Sequence, residues 1–162
     1  MSLKFTPSFL FSVQETLESG VDAAPAPTIS HTGFNVSGIH LTGTTTPAAA
    51  KFSARTHALS AGSLTLDLTA LPGTADAVVN ANGLKLQALL VANREGNATL
   101  NIAGGDANPY PLFGAGNDVD VPAGGRLAFY FPEGLPDVSG TEKTVKFTGS
   151  GTQSFDLLVV FG

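Results

Sequence analysis

The stretch Leu84-Lys85-Leu86-Gln87-Ala88-Leu89-Leu90-Val91 alternates apolar and polar residues and then turns solidly apolar. Alternation with period two is the pattern of a strand with one wet face, and a continuous apolar run is that of a strand covered on both faces. Asn82-Gly83 precedes this stretch and Asn93-Arg94-Glu95-Gly96-Asn97 follows it. A second alternating run, Ala98-Thr99-Leu100-Asn101-Ile102-Ala103, comes next. Two such runs joined by a short polar link containing Gly predict a β-hairpin, which we place at the centre of one sheet.

The rest of the chain repeats the pattern. Leu64, Leu66 and Leu68 alternate with Thr65, Asp67 and Thr69, the cleanest period-two strand in the sequence. Residues 3–17, 31–42, 51–59 and 144–148 alternate more loosely. Residues 126–131 read as a strongly buried strand. Residues 153–161 end in a run apolar on both faces, which predicts a strand in the middle of a sheet. Gly38 marks a bulge, and Ser60-Ala61-Gly62 and Gly149-Ser150-Gly151 mark turns. No segment holds a 3.6-residue period for three turns. Nine or ten short strands with a turn signal every 8–12 residues predict an all-β antiparallel sandwich or barrel. A central strand close to the C-terminus requires non-local pairing, as in Greek-key and jelly-roll topologies. The expected fold is therefore a jelly-roll-like β-sandwich over residues 31–162. Residues 1–30 are expected to form an N-terminal arm and a Pro/Ala-rich hinge: the run 20–30, extended around Pro25 and Pro27, reads either as a loop between strands or as a hinge that lets residues 1–20 reach a neighbouring subunit.

The 162 residues suffice for one domain with a real core. Charged residues make up only 13%, about half the usual share, which points to a surface partly covered by other chains. The net charge of −5, with no basic cluster, argues against a nucleic-acid partner. The absence of cysteine rules out thiol chemistry, disulfides and thiolate zinc sites. No secretory leader or spanning segment is read, so synthesis in the cytoplasm and no membrane partner are expected.

The residues that carry chemistry are sparse. His31, His40 and His57 stand in no metal-ligand spacing and read as surface or satisfied polar residues. Gly114-Ala115-Gly116 and Gly149-Ser150-Gly151 lack the Lys and the helix of a phosphate cradle and read as turns. No Gly-x-Ser-x-Gly elbow is present. Asp106, Asn108, Asn117, Asp118 and Asp120 offer oxygens on loops, but lack the Glu and the spacing of a calcium loop; Asp and Asn also favour turns. Asn35-Val36-Ser37 and Asn97-Ala98-Thr99 match the glycosylation sequon, read as accidental without a leader. No catalytic residue, cofactor or metal is expected. Glycan binding would want exposed Trp, which is missing, leaving Tyr110 as its best aromatic. Among the eleven Phe, Phe5, Phe9 and Phe11 stand apart on the arm. They pack either into their own sandwich or into a neighbour's groove. With Tyr110 and Phe113 in the long loop 104–117, they are the candidate contact residues.

The pieces Leu64-Thr65-Leu66-Asp67-Leu68-Thr69, Gly83-Leu84-Lys85-Leu86-Gln87-Ala88-Leu89 and Ala107-Asn108-Pro109-Tyr110-Pro111-Leu112-Phe113-Gly114 resemble, in general style, small β-sandwich structural proteins of tailed-phage virions. Val121-Pro122-Ala123-Gly124-Gly125-Arg126-Leu127-Ala128-Phe129-Tyr130 and the run from Gly149 to Val160 add to the likeness, which spans about residues 60–162. Some of these proteins decorate or cement capsids. The resemblance implies a non-enzymatic virion protein that holds shell subunits together by association alone, with the major capsid protein as partner. We expect a homo-oligomer, a homotrimer first. The alternatives are a tail, neck or fibre component, or a carbohydrate-binding adhesin module.

Overall fold

The structure, a computed structural model, describes residues 3–16, 28–37, 40–41, 48–73, 77–131, 133 and 135–162, with side chains for 3–8 and from 48 onward. All regular elements among them are strands: β1 (Lys4–Phe5), β2 (Ser8–Thr16), β3 (Thr28–Ser37), β4 (His40–Leu41), β5 (Lys51–Ala58), β6 (Ser63–Asp67) and β7 (Leu71–Pro72), then β8 (Val78–Val79), β9 (Leu86–Asn93), β10 (Leu100–Gly104), β11 (Asp118–Val121), β12 (Arg126–Tyr130), β13 (Thr144–Thr148) and β14 (Ser154–Phe161). The all-β expectation holds. Two four-stranded sheets form a sandwich, a front sheet ordered β12-β9-β14-β5 and a back sheet ordered β11-β10-β13-β6, with antiparallel pairing throughout.

Alternation aims one face of each sheet inward. The front sheet contributes Leu89, Val91, Phe155, Leu157 and Val159 to the core; the back sheet contributes Leu66, Leu100, Ile102, Val145 and Phe147. Phe155 stacks on Phe147 across the sandwich at 4.5 Å and 27°. As foreseen, β14 is an interior strand, between β9 and β5. Leu66 and Leu68 are buried, with Leu64 packed beside them.

The expected hairpin of residues 84–103 does not form. β9 and β10 lie in opposite sheets, so residues 94–99 turn a corner between layers. The buried Asn93 explains the corner. Its Nδ2 donates to the carbonyls of Ala98 (3.0 Å), Val121 (2.9 Å) and Pro122 (3.1 Å), and its Oδ1 accepts from Asn97 Nδ2 at 2.8 Å. These bonds tie the end of β9 to the start of the link that follows it and to the chain just after β11, and they satisfy carbonyls at the corner. β12 also departs from its reading as strongly buried. It is an edge strand whose residues are half-buried or exposed; its apolar run serves an inner face and an outer one.

The corners come in hydrogen-bonded pairs. The turn after β5, with Ala61 and Gly62 both at positive φ (49° and 84°), meets the turn before β14: Gly62 N donates to Gly151 O at 2.7 Å and Gly149 N to Gly62 O at 2.8 Å. A Cβ on Gly62 would approach Gly149 O to 3.1 Å, so glycine is needed there for both φ and space. The link between β6 and β9 runs beside the link between β12 and β13, joined by Leu68 N to Lys143 O (2.8 Å) and Gly83 N to Val138 O (2.8 Å). The link between β9 and β10 meets the link between β11 and β12 through Asn93 N to Gly125 O at 2.9 Å.

At the N-terminus, β1 pairs with β4 and β2 with β3. The two pairs follow one another along the chain as a single antiparallel ribbon. β3 crosses residue 30, where arm and sandwich were divided. The Pro/Ala-rich run 20–27 lies outside the described residues, as does Gly38. No helix among the described residues is long and apolar enough to cross a membrane.

Candidate functional site

The outer face of the front sheet is the most unusual surface of the sandwich. Register sorts it into three rows. The first holds Phe52, Val160, Ala88 and Tyr130; the second Ala54, Leu158, Leu90 and Ala128; the third Thr56, Asp156, Ala92 and Arg126. A solvated sheet face normally carries polar side chains; here two rows of three are apolar apart from the Tyr130 hydroxyl.

The first row is capped by the chain itself. Leu3 and Phe5 pack on a cluster centred on Ala49, Ala88 and Val160, together with Phe52, Tyr130 and Leu158. The Phe5 ring meets Tyr130 edge-on at 6.3 Å and 62°. Phe5 thus packs on its own sandwich. Beside this cap, Leu3, Phe52, Val78 and Val79 line a mostly apolar groove of about 240 Å³ at the β5 edge. The wall of the groove is held by Ser53 Oγ donating to Pro72 O at 2.6 Å, by the Arg55 guanidinium donating to Gly73 O, and by Lys51 Nζ donating to Asn80 O at 2.5 Å.

The second row is uncovered. Leu90 is 37% exposed and Val78, across the capped row, 70% exposed; among the described residues they are the two large hydrophobic side chains that stand out in solvent. The third row is polar. Arg94 Nη2 donates to Asp156 Oδ1 at 2.9 Å, and Thr56 Oγ1 donates to the same oxygen at 2.5 Å. The Thr56 hydrogen bond, then that of Arg94, holds the Asp156 carboxyl below its usual range. The pair is exposed and adds little stability; it marks where the apolar band ends.

Phe9 and Phe11 lie on β2, in register with Val36 and Phe34; their side chains lie outside those described. Phe113 is half-buried against Phe129, rings 5.3 Å apart, and Phe129 stacks on Phe131 at 5.7 Å. Tyr110 requires a correction. It is fully buried in the core, with its hydroxyl donating to Pro136 O at 2.7 Å, and burial pushes its phenol up to about 12. It is closed to any partner. Two backbone contacts draw it inward: Tyr110 N donates to Thr144 O, and Pro109 bridges to Thr144.

The acidic and amide residues of the loop are engaged with protein groups. Asn101 Nδ2 donates to Asp118 and Asp120, and Lys146 pairs with Asp106 at 2.7 Å. Among the described residues no group of three His, Cys, Asp or Glu side chains converges to hold a metal. A cleft of about 510 Å³ lies over Gly104, Gly105, Pro109 and Asp118, and its one aromatic neighbour is the buried Tyr110.

His57 was not expected to matter. It is half-buried, stacks on Phe155 at 5.8 Å, and its Nε2 has no hydrogen-bond partner. Burial, then the Arg55 charge, holds its imidazole below the usual 6.5. Below about 6.5 the unfolded chain takes up a proton that the folded chain takes up only at lower pH. Stability is therefore expected to fall as pH drops through 6.5 and to level off below the folded pKa. His57→Phe should abolish that part of the profile, measured as urea midpoint against pH. Parallel profiles for the two proteins would show that His57 is not responsible.

Comparison with protein-family models, curated proteins and solved structures returns no match. The surface itself therefore carries the functional argument. The sequence signal for it was the apolar character of both faces of Leu89-Leu90-Val91 and of residues 157–161. That signal was read as burial alone.

Proposed function

We propose that this chain is a non-enzymatic structural protein of a tailed-phage virion, and that its sandwich is a jelly roll acting as a capsid cement or decoration module. The observation that carries this reading is the nested strand pairing. Numbering the sandwich strands β5, β6, β9, β10, β11, β12, β13 and β14 as first to eighth, the sheet orders become 1-8-3-6 and 2-7-4-5. First pairs with eighth, second with seventh, third with sixth and fourth with fifth. Together with the paired corners, this nesting supports reading the sandwich as one long ribbon wrapped on itself, as in the jelly rolls of viral shells and lectins. The step from fold to role is an analogy. It is supported by the low charge and by the apolar outer face.

The mechanism is associative. Stiff sandwiches, three to a homotrimer, sit over junctions of the major capsid protein and bury apolar area there. A standard interface of about 1,600 Å² suffices for stable binding, and symmetry multiplies it. The test is co-sedimentation of the purified chain with expanded shells of its virus. We expect saturable binding and a shell that ruptures several degrees higher. Failure to bind those shells would remove the cement role and leave a tail, neck or fibre position to be sought by imaging the particle. The adhesin alternative has lost Tyr110, its aromatic platform.

A further inference from the structure

We infer that the apolar band between Val78 and Leu90, on the outer face of the front sheet, is the seat for the β2–β3 ribbon of a second copy of this chain. The inference deepens the self-association in the reading above. Four observations carry it.

First, the band is continuous. Val78, Leu3 and Phe52 line one groove, Phe52 and Leu3 belong to the capped cluster, and Ala54, Leu158 and Leu90 form the next row. Exposed apolar side chains joined by an apolar groove and row are the kind of surface that a protein partner covers. Second, the occupant already seen on this face is the base of the same ribbon: Leu3 and Phe5 cap the first row, and β1 pairs with β4 directly below β2 and β3. The surface thus accepts this chain's own chemistry. Third, β2 and β3 pair with each other and with neither four-stranded sheet. A lone two-stranded ribbon is marginal in water, and the sequence of this one carries Phe9, Phe11, Val13, Ile29, Phe34 and Val36. Fourth, the chain's own cap covers only the first row of the band: Leu90 and Val78, on either side of that row, remain exposed. The ten residues of β3 extend about 33 Å at ~3.3 Å each, whereas four strands at ~4.8 Å spacing span only about 15 Å. A ribbon whose base is fixed on one sheet is long enough to reach the next copy.

The absence of cysteine permits a direct test on this chain. By sedimentation velocity the wild type should self-associate at micromolar concentration. Leu90→Glu and Val78→Glu, at positions open to solvent, should each raise the dissociation constant at least tenfold with unchanged circular dichroism. Phe11→Cys and ¹⁵N-labelled Leu90→Cys, mixed and treated with a short bismaleimide, should yield a hybrid dimer by mass spectrometry. A monomeric wild type, association indifferent to both Glu variants, or a link formed only inside a double Phe11→Cys/Leu90→Cys monomer would each overturn the inference. No shell enters this experiment, so its failure is distinct from failure of the cement role.

Discussion

Phe155→Ala is expected to destabilise the fold by about 3–5 kcal/mol, the usual result of emptying a fully buried aromatic site. Phe155 is 0% exposed and lies between His57 and Phe147, joining the edge of the front sheet to the centre of the back one. Alanine removes both ring stacks and leaves a cavity that β14, hydrogen-bonded on both sides, cannot collapse to fill. Domains of this size are stable by only about 5–15 kcal/mol, so the variant should unfold at far lower urea with an unchanged slope. A loss under 1 kcal/mol would mean that the two sheets do not depend on this contact.

Asn93→Leu is expected to cost about 3 kcal/mol. The two N–H donors of the amide serve the carbonyls of Ala98, Val121 and Pro122, one being shared, and the amide oxygen accepts from Asn97. Leucine fills the space but removes four hydrogen bonds at about 0.5–1.5 kcal/mol each; Ala98 O still accepts from Gln153 Nε2, Pro122 O from Gly125 N, and Asn97 Nδ2 still donates to Ser154 O. Asn93→Asp separates shape from hydrogen bonding, since it keeps the outline and the acceptor but removes the donors. It should be at least as damaging near neutral pH. If Asn93→Asp is tolerated, the corner between β9 and β10 is held by something other than the amide.

These two residues show what could be read in advance. The position of Phe155 follows from alternation: Phe155, Leu157, Val159 and Phe161 fall on one face of β14, and an apolar second face put that strand inside a sheet. The role of Asn93 was hidden, because a polar link after an apolar run looks the same whether the chain reverses within one sheet or crosses to the other. The choice lies in which carbonyls the amide reaches, and Val121 and Pro122 are distant in sequence. The edge position of β12 was hidden for a related reason. Leu127 and Phe129 face the core while Ala128 and Tyr130 face outward, and a solid apolar run does not say whether its second face is covered. Tyr110 misled in the opposite sense. Flanked by two prolines in a glycine-rich loop, it looks like surface, and only Thr144 and Pro136 reveal that the loop folds inward. At the candidate site, the sequence marks Phe5 as an apolar residue in need of a seat but leaves open whose; the structure sets it on its own sandwich. Leu90 and Val78 were not legible, since exposure depends on what the rest of the chain leaves bare.

The wrapping of first strand against eighth has a consequence for biogenesis. During translation β5 emerges more than ninety residues before the strand that pairs with it, and β9 waits for the same partner. Until Phe161 clears the ribosome, the front sheet is two separated pieces with raw edges. Contacts this distant in sequence close slowly, so the nascent chain passes through a long window in which it depends on dilution or a chaperone to stay unassociated, and loss of β14 would part β5 from β9.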